Sequence, residues 1–458
     1  MTTKKLTDYI KQPASTQHNT KKTEQSKPVQ VRAQFKKETE FQETPVGKAP
    51  KDWKIVQLRD IGEIVNGFAF PLEYQGKKNG KYIFVKVSDT NIVGNEKYIR
   101  ATENKIDDHI AKQLKAKIFP SGTIIFPKIG MVIYLRKVRI LAESGTFDNN
   151  IMGIIPNKDV IDSEFLYYYF LGKINLTKLA GRTTAPSIKK SDVEKLKITL
   201  PPIREQQRIA EILSTVDSAI DRVRRLVERA DKLKKGLMQE LLTKGIGHKE
   251  FKETPIGKIP KEWKMSTLSQ LINYEKGKRP SKLFKERTSH HFVPYLKAEY
   301  LRGLESPEWC EPTDVNVLRV KKTDIIMIWD GSYSGEVFIG FEGVLASTMI
   351  KIMPKESLVN DKYLYYWLKK HSRTLHSTTV GTGIPHVNKK IFENLLIPIP
   401  SLKEQKVIAE ILYTVDEYIR MLGARLERLE RVKKWLMDVL LTGKVRVMVE
   451  PSSGGSSG

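Results

Sequence analysis

The chain repeats itself, and this limits its fold more than any other feature. The segment Glu43-Thr44-Pro45-Val46-Gly47-Lys48-Ala49-Pro50-Lys51-Asp52-Trp53-Lys54 returns 210 residues later as Glu253-Thr254-Pro255-Ile256-Gly257-Lys258-Ile259-Pro260-Lys261-Glu262-Trp263-Lys264. A second pair is offset by 199 residues: Glu205-Gln206, Ile209 to Leu213 and Thr215-Val216-Asp217 reappear as Glu404-Gln405, Ile408 to Leu412 and Thr414-Val415-Asp416. A 458-residue chain built this way is two tandem copies of one unit rather than one large domain. The offsets differ by 11 residues, and residues 73 to 152 match 283 to 350 poorly, so each copy is a variable part followed by a constant one.

The constant parts have helical period. Ile209, Leu213, Val216, Ile220, Val223, Val227, Ala230, Leu237 and Leu241 form a heptad seam broken only at Lys234. Its counterpart, Ile408, Leu412, Val415, Ile419, Leu422, Leu426, Leu429, Leu436 and Leu440, breaks only at Lys433. An apolar seam flanked by charge is a coiled-coil pattern. Prolines before each run (Pro201, Pro202, Pro400) and Gly245 and Gly443 after them mark starts and stops. Each helix should hold about 40 residues and span roughly 60 Å.

The variable parts carry short β-rich stretches at 82 to 87, 123 to 126, 325 to 329 and 337 to 340, with one helical patch in each copy at the tyrosine runs 167 to 169 and 363 to 366, which read as core. The expected class is α+β: two mixed α/β domains separated by two long helices. The expected division is a basic disordered tail (1–40), a first domain (41–202), a spacer helix (203–245), a second domain (246–400), a second spacer helix (401–445) and a C-terminal tail (446–458). The last eight residues, all Pro, Ser and Gly, have linker composition and read as a remnant of expression.

The net charge of +26 favours a polyanionic partner. Residues 41–202 hold +9 of it and 246–400 hold +7, so the excess belongs to the globular parts. One cysteine, Cys310, excludes a disulfide framework and a thiolate zinc site. No run is apolar enough to span a bilayer and the N-terminus lacks the pattern of a signal peptide, so a cytoplasmic location is expected. No Gly-Lys pair is followed by Ser or Thr, no His-Glu-x-x-His occurs, and Phe338 to Gly343 has the wrong spacing for a methyl-donor loop. Neither metal nor cofactor is expected.

The Trp-x-x-x-x-Leu entries at Trp53/Leu58 and Trp263/Leu268, the Leu/Ile-Pro steps that close the heads, and the helices opening Glu-Gln-x-x-Ile-Ala-Glu-Ile-Leu resemble the specificity subunit of type I restriction-modification systems. The resemblance covers residues 41 to 445 in both copies. It implies two target-recognition domains that read an interrupted double-stranded DNA sequence, joined by two antiparallel helices. It also implies no activity of its own, two adenine-methyltransferase subunits as partners, and restriction subunits in the full complex. The basic tail before Trp53 departs from the family pattern.

The repeat alone leads to the same architecture. A helix leading away from the first head and a second returning from the other give a pseudo-two-fold arrangement suited to two half-sites, with the helices as a ruler. Candidate DNA contacts in head one are Lys86, Lys128, Arg136, Arg139, Asn149, Asn150, Arg182, Thr183 and Lys189. In head two they are Lys297, Trp329, Ser332, Tyr333, Ser347, Thr348, Thr382, His386 and Lys389. Arg and Lys fix phosphates, whereas Asn, Ser and Thr also read base edges. Gly130 aligns with Gly331, and Asn149-Asn150 with Ser347-Thr348. Candidate partner contacts are the repeated residues Trp53, Trp263, Glu205, Gln206, Glu211, Asp217, Glu404, Gln405, Glu410 and Asp416, several of which look exposed. Two rival functions stay open: a stand-alone DNA-binding regulator and a self-contained restriction-methylation enzyme. The second lacks the expected motifs.

Overall fold

A computed structural model of the protein describes residues 34–180, 186–313, 317–355, 357–381 and 383–448. These form two compact units: residues 34–223 with 425–448, and residues 224–424. The sequence-predicted helices run Ile203–Leu241 and Leu402–Leu441. Each ends before a glycine in the left-handed region, Gly245 (φ 67°) and Gly443 (φ 66°), where any other residue would be strained. In the first unit Ile209 and Leu213, near the start of one helix, share a core with Leu436 and Leu440, near the end of the other. In the second unit Met238 and Leu241 pack with Ile408 and Leu412 in the same way. The helices are therefore antiparallel, and every seam residue is buried or half-buried.

Head one carries a five-stranded sheet ordered Gly62–Asn66, Ile151–Pro156, Ile124–Pro127, Arg139–Leu141, Tyr98–Ile99, and a three-stranded sheet centred on Tyr82–Val85. In head two a four-stranded sheet, ordered Ile272–Lys276, Met349–Pro354, Ile325–Ile328, Val337–Phe338, accompanies one holding Val293–Leu296 and Gly343–Leu345 at its centre. One helix in each head, Ser163–Gly172 and Asp361–Ser377, is N-capped by Asp162 and Asn360, whose side chains accept from the amides of Phe165 and Tyr363. The tyrosine runs on these helices are buried, as expected. Both heads are thus mixed α/β domains alternating with two long helices.

The two tail boundaries need correction. Residues 1–33 and 449–458 lie outside the described residues, but Phe35–Lys37 is a strand paired antiparallel with Val445–Val447. Glu38, just beyond, reaches Arg446 at 2.8 Å. Local composition carries no sign of this order, because the strand's partner lies at the other end of the chain.

Candidate nucleic-acid interface

The same set of main-chain hydrogen bonds ties three loops together in each head. In head one the Lys128 amide donates to the Asn150 carbonyl (2.8 Å), Gly130 to Pro186 (2.8 Å) and Ile188 to Lys128 (2.8 Å). In head two the Trp329 amide donates to Thr348 (2.8 Å), Gly331 to Pro385 (2.7 Å) and Val387 to Trp329 (2.9 Å). Isolated bridges Ile129 to Ser187 and Asp330 to His386 complete the match. Gly130 and Gly331 both have positive φ, 80° and 104°, with open space where a Cβ would stand. Backbone positions are therefore shared while the side chains differ.

Most head-two candidates gather at this frame. Lys297, Ser332, Tyr333, Ser347 and Thr348 line a concavity of about 340 Å³, together with Asp330. Lys297 is paired with Glu308 at 2.5 Å, and Arg302 lies 3.5 Å over the Tyr333 ring. His386 is exposed at the bridge to Asp330, and Lys389 is exposed beside Glu393. Trp329 points inward instead, stacked on Tyr274 and edge-on to Phe392. It serves the frame as packing, because its ring covers the core.

In head one Lys128 is half-buried and donates to Asn66 Oδ1 at 2.8 Å, and its loss of water lowers the ammonium pKa. Asn149 and Lys189 are exposed, and Asn150 is half-buried at the frame. Lys86 donates to Gln75 at 2.8 Å. Arg136, itself left-handed (φ 48°), donates to the carbonyls of Leu171 and Ile174 at 2.9 Å. Arg139 is an internal strut: it donates to the carbonyls of Val138 and Thr90, and burial lowers its pKa. Arg182, Thr183 and Thr382 lie outside the described residues.

The repeated residues offered as partner contacts are mostly interior. Trp53 Nε1 donates to Glu205 at 3.3 Å, and Trp263 Nε1 to Glu404 at 3.1 Å. Glu205 also accepts twice from Arg446, both at 2.7 Å, while Glu404 shares a 2.9 Å hydrogen bond with His248. The Gln206 and Gln405 side chains accept from the amides of Asp162 and Asn360 and donate to the carbonyls of Pro201 and Pro400. Asp217 accepts from Tyr168 (2.7 Å) and pairs with Lys433 (2.6 Å). Asp416 accepts from Tyr366 (2.9 Å) and pairs with Lys234. Burial and these carboxylates push both tyrosines far up in pKa. The repeat thus preserves joints between helix and head: of the ten residues Glu410 is exposed, Glu211, Asp217, Glu404 and Asp416 are half-buried, and the rest are buried.

Among the described residues no helix is long and apolar enough to cross a membrane, and no cluster of His, Cys, Asp and Glu could hold a metal ion.

Residues 50–228 and 260–431 match the family described as type I restriction modification DNA specificity domain. A putative type I restriction enzyme MjaX specificity subunit of Methanocaldococcus jannaschii is 29% identical over 426 residues, 90% of this chain and 98% of that one. The MjaVIII specificity subunit of the same organism is 42% identical over 192 residues, 42% of this chain and 45% of its own length. In three dimensions the chain is similar to the type I restriction-modification S subunit from M. genitalium, with a TM-score of 0.58 at 18% identity, covering 87% of this chain and 98% of that structure.

Proposed function

Because this chain belongs to the type I restriction-modification DNA specificity family, we propose that its two heads read the two unlike halves of one interrupted duplex target. The target-recognition domains are residues 41–202 and 246–400, and the chain itself transfers no methyl group. Two adenine-methyltransferase subunits bind it, one for each copy of the repeat, and restriction subunits join in the full complex. The observation that carries this reading is the shared loop frame with unshared side chains. A reader of two identical half-sites would need no such divergence, and a frame without a reading role would need no such conservation of main-chain geometry. Lys and Asn at the frame suit phosphate and base-edge contacts.

The reading is tested by co-expressing the chain with its methyltransferase subunit and mapping methylated adenines across a genome. A bipartite motif with two different halves is expected. A palindromic motif, or methyl transfer by the purified single chain, would contradict it. Exchanging residues 283 to 350 for 73 to 152 should convert the motif towards two copies of the first half in opposite orientation.

A further inference from the structure

Ile129 and Asp330 occupy one equivalent place. Each follows the residue that donates to the opposing loop (Lys128, Trp329), precedes the left-handed glycine (Gly130, Gly331), and bridges the third loop at Ser187 or His386. Their chemistry is opposite. Ile129 is a branched apolar side chain 40% exposed, followed in the chain by the exposed Met131, Tyr134 and Leu135. Asp330 is a carboxylate, its side chain 22% exposed, in the concavity of a basic head.

A carboxylate facing DNA is repelled by phosphate unless a cation offsets its charge, and it can then accept from a base donor. Lys276 holds Asp330 Oδ2 at 2.8 Å, which offsets that repulsion and fixes the side chain. Lys276 and Asn66 end the same strand in the two heads, opposite Ile350 and Met152. Asn66 there accepts from Lys128, so in head one the strand end is engaged with residue 128 rather than with residue 129.

We infer that position 129/330 is a specificity-determining position in both heads. Through Ile129, head one packs against the methyl group of a thymine. Through Asp330, head two accepts from an exocyclic amino group, that of cytosine N4 or adenine N6, in the major groove. Both pairings follow from the pattern each base pair shows in that groove. The inference rests on the heads reading DNA as proposed above.

The test uses the full chain with its methyltransferase subunits and methylation mapping. Asp330→Ala should relax one base pair in one half of the motif, lowering the preference there by roughly 5- to 150-fold, and leave the other half unchanged. Ile129→Asn should act on the other half only, moving one position from thymine towards adenine, which asparagine reads with two hydrogen bonds. If Asp330→Ala abolishes methylation altogether, Asp330→Asn keeps an acceptor oxygen and must restore methylation, with the original base or with adenine at that one position. Loss in both, or an unchanged motif in Asp330→Ala and Ile129→Asn, overturns the inference while leaving the bipartite reading intact. Failure of the unsubstituted complex to give a two-part motif would instead overturn the function proposed above.

Discussion

Replacing Lys234 by methionine should destabilise the second unit by about 3–5 kcal/mol, the usual cost of removing one partner from a buried ion pair. Its side chain is 12% exposed and that of its partner Asp416 is 26% exposed, so water recovers little of the lost charge interaction. Asp416 would keep only the Tyr366 hydroxyl at 2.9 Å. The matching change in the first unit, Lys433→Met, should cost less, about 1.5–3 kcal/mol, the range for one hydrogen bond to a charged group. There a second cation lies close: Lys97, itself paired with Glu164 at 2.8 Å, has its Nζ 3.1 Å from the Tyr168 hydroxyl that donates to Asp217. No such lysine donates to Tyr366 among the described residues. The double change Lys234→Met with Asp416→Leu should return part of the loss, since apolar residues replace the ion pair at little cost while the Tyr366 hydroxyl loses its acceptor. Urea unfolding followed by circular dichroism, fitted with separate transitions for the two units, reads these differences. A Lys234→Met variant within 1 kcal/mol of the parent, or a double variant as unstable as the single, would show that the pair does not hold the seam as argued.

Gly443→Ala should cost at least the roughly 1–2 kcal/mol of a left-handed alanine, because its Cβ would also stand 2.3 Å from Pro50 Cγ; thermal unfolding checks it. Gly236→Ala and Gly423→Ala, within the long helices and with nothing near the new methyl, should each stabilise by up to about 1 kcal/mol in the same assay. Glu38 is held at a pKa of about 2 by the amides of Glu40 and Thr39 and by Arg446, against an ordinary 4.5. Its depressed value adds stability above pH 4.5 that is lost as pH falls towards 2, so Glu38→Gln should flatten that part of the acid unfolding curve. Equal acid limbs in parent and variant would remove Glu38 from the cause.

The helices and the two-copy plan were legible because a heptad seam and a long repeat are one-dimensional patterns. The seam breaks at Lys234 and Lys433 and the repeated Asp217 and Asp416 were all visible, but as unrelated features. Their pairing joins residues 182 apart for Lys234 and Asp416, and sequence carries no direct mark of such contacts. Glu205 and Gln206 looked exposed because charged and amide side chains usually are, yet each is buried among fully named partners. Arg446 fell in a stretch set aside as tail, although it joins Glu205, Asp52 and Glu38. At the interface, the loop alignment of Gly130 with Gly331 and of Asn150 with Thr348 matches the hydrogen-bonded frame. Ile129 and Asp330 stand out in sequence only as a point where the two reading loops diverge, because an apolar side chain and a carboxylate carry no mark of contact with a polyanion. Arg139 is half-buried with its guanidinium on two main-chain carbonyls, and nothing in the sequence tells such an arginine from a solvated one.

The loop frame is built from main-chain amides and carbonyls; every residue supplies the carbonyl, as Pro186 and Pro385 do here, and every residue but proline the amide. Substitution at positions 129, 149, 330 or 347 therefore leaves the scaffold's own bonds in place. Foldability and the identity of the side chains displayed are stored in different atoms. A lineage carrying this chain can drift through new displays without crossing an unfolded intermediate, while the same freedom is denied to Gln206, Gln405, Asp217 and Asp416, whose side chains are themselves the bonds. Variation should concentrate where the backbone does the holding and vanish where a side chain does.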